Sequence, residues 1–187
     1  MSEDAIDKDT VEKRLNDHGI PLSKWGQGAA KTFDHLLQEL QEGEVHLESK
    51  DNGDLLRNFK VVGVDVLYTD NLGQTLRLME ERQVFKDGRK RQRKLATSLA
   101  EKLKPKEKPD EAAKRAISEE LGIKDIAEPQ KKGEYTVLKP SESFPGLKSN
   151  YNAFMFEVRL NTNQFKPEGY IEEQADKTTY FVWEKQE

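Results

Sequence analysis

The chain has 187 residues, 35% of them charged and 34% hydrophobic, with a formal net charge of −4. That length fits one domain with an extension, or two small ones, and the near-neutral balance gives no global field for nucleic acid or a membrane surface. There is no cysteine, which excludes disulfides, thiolate catalysis and a cysteine-ligated zinc.

The opening Met-Ser-Glu-Asp-Ala-Ile-Asp has no apolar signal core, and no run approaches a membrane span. An intracellular, cytoplasmic protein is expected. Residues 1–18 are charged and read as a frayed or weakly helical tail, and residues 19–26 break any helix. Ala30, Phe33, Leu36, Leu37 and Leu40 then recur at helical spacing. Ala29–Gln41 is predicted to be an amphipathic helix stopped by Gly43. Gly26-Gln-Gly-Ala-Ala-Lys31 looks like a phosphate loop but lacks the preceding strand and full spacing, so it reads as a helix start. Trp25 reads as a packing anchor.

From Val45 the period changes to two. Val45–Glu48 is short and β-like, and Phe59–Tyr68 alternates and is rich in β-branched residues. Gln74–Phe85 and Arg89–Leu95 flank Lys86-Asp-Gly88, a good hairpin turn because Asp-Gly tolerates positive φ. Both arms are charged, and the hairpin is expected to stand largely in water. The basic run Arg89–Lys94 has no interleaved aromatics for base stacking. It is expected to be a solvated arm, with nucleic acid not a partner. Leu95–Leu103 leads into the stiff polar loop Lys104–Pro109. Tyr135–Leu138, Tyr151–Leu160 and Tyr180–Trp183 read as strands. Ser141–Asn150 reads as a long loop of the kind that is often functional, and Glu168–Glu173 as an acidic loop.

The stretch 107–123 organises the chain. Pro109 and Asp110 suit a first helical turn, and Gly122 suits a left-handed close. At 100° per residue, Ala112, Ala113, Ala116, Ile117 and Leu121 form one apolar arc. Glu120 falls inside that arc and Glu119 lies at its edge. A carboxylate in a buried stripe is costly, and two in the last turn face the negative end of the helix dipole. Either both are solvated where the core ends, with Lys124 beside them, or a divalent cation holds them.

The same stretch resembles the Nudix box. Glu107, Arg115, Ile117, Glu119, Glu120, Gly122 and Ile123 match its pattern in register. Glu101 stands at the opening Gly position, and Ala116 where a Glu follows the Arg. The resemblance implies an α/β fold: a Nudix-type α/β/α sandwich with a mixed sheet over residues 45–187, preceded by an N-terminal helical extension, 1–44. It implies Mg2+ or Mn2+ on Glu119 and Glu120, with Arg115 orienting a glutamate in a catalytic role. The function implied is metal-dependent hydrolysis of a diphosphate linked to a nucleoside or another group, the partner being that small-molecule diphosphate. The alternative is a catalytically inactive binding or regulatory module on the same fold. Ala116 removes an i, i+4 carboxylate pair with Glu120, which favours the module; the retained Glu119–Glu120 pair favours the hydrolase.

Phe33, Leu36, Leu37 and Leu40 need a surface to bury against, either the same chain or a second copy in a homodimer. Deleting residues 1–44 is expected to lower the melting temperature markedly, and deleting only 1–16 to do little. Thermal melts of the two truncations check this.

Overall fold

The computed structural model describes residues 6–28, 30–93 and 95–186. The readings above that rest on residues 1–5, Ala29, Lys94 or Glu187 lie outside the described residues at those positions. Among the described residues, three α-helices and nine strands run in chain order: α1 (Lys8–Asp17), α2 (Phe33–Gln41), β1 (Val45–Ser49), β2 (Leu55–Thr69), β3 (Thr75–Phe85), β4 (Lys90–Arg91), β5 (Leu99–Lys102), α3 (Pro109–Leu121), β6 (Gln130–Pro140), β7 (Lys148–Arg159), β8 (Tyr170–Glu173) and β9 (Lys177–Lys185). The class is α/β with a mixed sheet, as expected. Among the described residues, no helix is long and apolar enough to cross a membrane.

The chain forms two compact units. The first takes the residues up to Lys60, Lys102–Lys106 and Tyr135–Ala153; the second takes Val61–Glu101, Glu107–Glu134 and Phe154–Glu187.

In the first unit, β1 pairs antiparallel with the start of β2, and β6, β7 and β2 are neighbours in that order. Its core gathers Val11 and Leu15 of α1, Ile20, Trp25, Leu36 and Leu40 of α2, Val45, Leu55, and Phe144 and Leu147 from the loop after β6. Residues 7–17 are therefore not a frayed tail. Asp7 caps α1 by accepting from the Thr10 N–H at 3.0 Å, and Val11 and Leu15 carry a one-turn apolar stripe into the core. Phe33 and Leu37 pack against the same cluster, so the stripe of α2 is buried within its own chain. That helix starts four residues later than expected, at Phe33. Thr32 caps it, the His35 side chain answers the cap's own N–H at 3.2 Å, and the Gly26 N–H donates to the Lys31 carbonyl ahead of the helix. The loop 141–147 is an anchor: Phe144 meets Trp25 at 5.1 Å between ring centroids, and the Trp25 indole N–H donates to the Pro145 carbonyl at 2.9 Å.

The Glu39 carboxylate is buried in this unit. Glu39 accepts from Arg57 Nε at 3.1 Å and Lys31 Nζ at 2.8 Å, with Lys102 Nζ at 3.2 Å. Burial pushes its carboxyl up, but Arg57, Lys102 and Lys31 outweigh burial and hold it down at about 2.

In the second unit, β2, β3, β9 and β8 lie side by side in that order. β3 is not half of a solvated hairpin. Only Gln83 and Val84 pair with β4, whereas Leu76–Phe85 pair along β9. Leu78, Glu80 and Gln83 of β3 are buried. The acidic stretch after Gly169 is the strand β8, paired to β9 from Tyr170 to Glu173. Trp183 packs against Phe165, with ring centroids 5.1 Å apart, and Phe165 stacks on Tyr68 at 3.8 Å.

Because Leu15 is fully buried, Leu15→Ala should cost about 2–5 kcal/mol in chemical denaturation. Deleting 1–16 should then destabilise strongly, contrary to the reading of a dispensable tail. Glu39→Gln should cost about 3 kcal/mol at pH 7. The depressed carboxyl of Glu39 contributes stability that is present above its unfolded value, 4.5, and is lost as pH falls toward 2. Acid unfolding curves of the Glu39→Gln variant should lack that loss.

Candidate functional site

Helix α3 forms where the sequence places it. Pro109 opens it, and the Lys108 backbone N–H donates to Glu111 Oε2 at 3.0 Å. Gly122 closes it in the left-handed region at φ 70°. Ala112, Ala113, Ala116, Ile117 and Leu121 are all buried, so the apolar arc is the packed face. The turn leading in uses a left-handed residue that is not glycine, Lys106 at φ 65°, while Glu101, at the expected Gly position, lies in β5.

Arg115 faces the acidic side of this helix and gathers carboxylates. Its Nε donates to Glu107 Oε1 at 2.8 Å and its Nη2 to Glu107 Oε2 at 3.0 Å, a two-pronged bond. Its Nη1 donates to Glu119 Oε2 at 3.0 Å and lies 3.9 Å from Glu101 Oε1. The hydrogen bonds that Arg115 donates to Glu107 outweigh burial and hold Arg115 even more firmly charged than usual. Glu119 is half exposed, with its side chain 51% accessible.

Glu120 is in a different position. The residue keeps some surface, but its Oε1 is sealed from solvent and has no hydrogen-bond partner. Its carboxyl is pushed well above the usual glutamate range, first by burial and then by the nearby charges of Glu172 and Glu101. Arg93 pulls the other way, and Glu80 adds to the rise. The two sequence-predicted metal residues are therefore unlike: Glu119 is paired to Arg115, and Glu120 has one sealed oxygen near like charges.

Three residues of this neighbourhood escaped the sequence reading: Glu80, Glu172 and Arg93. Sheet register explains two of them. Glu80, Phe181 and Tyr170 stand opposite one another across β3, β9 and β8, and Gln83, Thr179 and Glu172 form the next row on the same face, with Arg82, Tyr180 and Ile171 between. Residues directly opposite share a face. Glu80 and Gln83 stay on one face because a bulge lies between Glu80 and Arg82. Glu80 alternates with Leu78 in β3, a signal that could have marked it as inward-facing. Nothing comparable marks Glu172. Arg93 lies in the basic run expected to be solvated, yet its Nε donates to Glu80 Oε1 at 2.9 Å and its Nη2 to Glu80 Oε2. No group of three or more His, Cys, Asp or Glu side chains among the described residues is arranged to hold a metal ion as it stands.

No family model matches the chain, and no curated protein does. Among solved structures it is similar to an Ap4A hydrolase of C. elegans, at 13% identity over 67% of this chain and 79% of that one, with a TM-score of 0.39. It is similar to a MutT/nudix family protein from Enterococcus faecalis, at 12% identity over 99% of this chain and 57% of that one, with a TM-score of 0.46. A Nudix hydrolase from M. Smegmatis, RenU, is similar at 12% identity over 74% of this chain and 78% of that one, with a TM-score of 0.38. With these TM-scores below 0.5, the chemistry of the site rests on its own residues.

A carboxylic acid whose folded value is raised binds protons more tightly in the folded state. Glu120 should therefore cost stability as pH rises from about 4.5, and the cost should be complete once pH exceeds the raised value. In chelator at pH 7, Glu120→Gln should melt higher than wild type, with a flatter pH profile above 4.5. Thermal melts across pH check both signs.

Proposed function

We propose that the chain is a Nudix-like protein that binds Mg2+ or Mn2+ at the C-terminal end of α3 and hydrolyses a diphosphate linked to a nucleoside or another group. The observation that carries the reading is Glu120. Its buried Oε1 has no partner, and its neighbours Glu172, Glu101 and Glu80 make its charge still more costly. A hard divalent ion takes carboxylate oxygens and would relieve both burdens. In this reading Glu119 and Glu120 would be its ligands, with the Glu119 carboxylate shared with Arg115. When bound, the ion would polarise a phosphoryl oxygen.

The chain's own residues have separate parts in this reading. Arg115 ties Glu119 to Glu107 through its guanidinium and so fixes where the Glu119 carboxylate points. Arg115 is a positioning residue. Glu120, on the buried side, keeps a carboxylate where water has little access.

A second reading, a binding or regulatory module without catalysis, is favoured by one observation. Ala116 lies one turn before Glu120 and is fully buried, so it offers no carboxylate at the position where the Nudix pattern has one.

Calorimetric titration of Mg2+ and Mn2+ into wild type and Glu120→Gln tests the cation site, and a metal-dependent screen of nucleoside and other diphosphates separates the two readings. Binding at about 1 mM metal or below that is lost in Glu120→Gln is expected, with phosphate released from at least one diphosphate. Binding without turnover of any diphosphate would favour the module. No binding with or without nucleotide would leave the carboxylates a structural feature only.

A further inference from the structure

Two departures from the Nudix pattern meet beside Arg115. Ala116 is fully buried in the packed arc of α3, so that position of the helix faces the core. Glu101, where the pattern has Gly, brings a carboxylate in from β5. One departure removes an acid from the neighbourhood and the other adds one.

Three carboxylates surround the Arg115 guanidinium: Glu101 on β5, Glu107 in the loop before α3 and Glu119 on α3. They are held differently. Glu107 accepts with both oxygens, at 2.8 and 3.0 Å, and its side chain is 13% exposed. Glu119 accepts from Nη1 at 3.0 Å. Glu101 Oε1 lies 3.9 Å from the same Nη1, an ion-pair distance beyond hydrogen-bond reach. Both carboxylates therefore border one nitrogen, whose charge offsets their mutual repulsion. The Glu101 side chain keeps 33% of its surface. It rises from a strand, which places a functional group more firmly than a loop does. Glu101 is also one of the charges that raise Glu120.

Hydrolysis of a diphosphate needs a base that takes a proton from the attacking water. Glu119 and Glu120 are the cation's ligands in the reading above, and Glu107 is clamped to Arg115 by both oxygens. Of the carboxylates around Arg115, Glu101 is the one that lies outside that guanidinium's hydrogen bonds and still meets solvent.

We propose that Glu101 is the general base, supplying from β5 the carboxylate that Ala116 does not supply from α3. This rests on the hydrolase reading above. The water oxygen forms a bond to phosphorus as the bond from that phosphorus to the bridging oxygen breaks. The water proton passes to a Glu101 oxygen, and the electron pair of the broken bond leaves with the departing phosphate.

The test compares wild type with Glu101→Gln, Glu101→Ala and Glu101→Asp. It reads Mn2+ binding by calorimetry, thermal melts, and turnover in the screen above, a nucleoside diphosphate and a nucleoside diphosphate sugar included. Glu101→Gln should lose about 100-fold or more in kcat. Its Mn2+ affinity should stay within about threefold of wild type, because Glu101 is not a ligand in this reading. Glu101→Ala should regain turnover when formate is added, since a small acid can take the proton instead. Glu101→Asp keeps the acid and should retain part of the rate, which serves if the other variants do not fold. Turnover by Glu101→Gln within about threefold of wild type would overturn the base and leave hydrolysis standing. Loss of Mn2+ binding together with turnover in that variant would also overturn it, making Glu101 a holder of the ion. A wild type that turns over no diphosphate would overturn both the base and the hydrolase reading.

Discussion

A carboxylate taken out of water must be compensated or it resists ionisation, and this constraint shapes both units. Glu39 shows full compensation. Three cations meet it, and despite burial its carboxyl is held at about 2. Glu80 is compensated by one, Arg93, whose fork matches both of its oxygens. Glu120 is compensated by none directly, and its carboxyl goes the other way. Asp65 on β2 is raised by burial as well, with Arg77 opposing. Glu120 differs in lying at the C-terminal turn of a helix, where the dipole adds to the cost.

Much of the fold was legible where the determinants are local. α3 has its start in Pro109, its stop in Gly122 and its buried arc in five apolar residues within thirteen, and all of these are observed. α1 was missed because only Val11 and Leu15 carry its inward stripe, too few for a periodicity to stand out in a charged segment. The partner of β3 was missed for another reason. The Asp-Gly turn correctly marked a chain reversal, but only two residues of β4 follow it, and the long pairing of β3 is on its opposite edge with β9, nearly a hundred residues further on. A local turn signal cannot weigh such a pairing.

The site was half legible. Glu119, Glu120 and Arg115 came from a single helical stretch, and their placement on adjacent faces follows from helix geometry. Their difference did not. Only tertiary structure shows that Arg115 pairs Glu119 and leaves Glu120 alone, and that Glu80, Glu172 and Arg93 come together from β3, β8 and the basic run. The basic run itself was misjudged as uniformly solvated. Arg89 does pair with its own turn through Asp87, but four residues later Arg93 turns inward to a buried glutamate.

The central claim is that the uncompensated carboxylate of Glu120 marks where a divalent ion binds. Paramagnetic broadening of backbone amide signals by substoichiometric Mn2+ tests it most directly, because it locates the ion without assuming any activity. The account predicts broadening centred on the last turn of α3 and on β8, fading with distance from Glu120 and Glu172. Broadening centred on another acidic surface, such as Asp51–Asp54, or none at all, would contradict it.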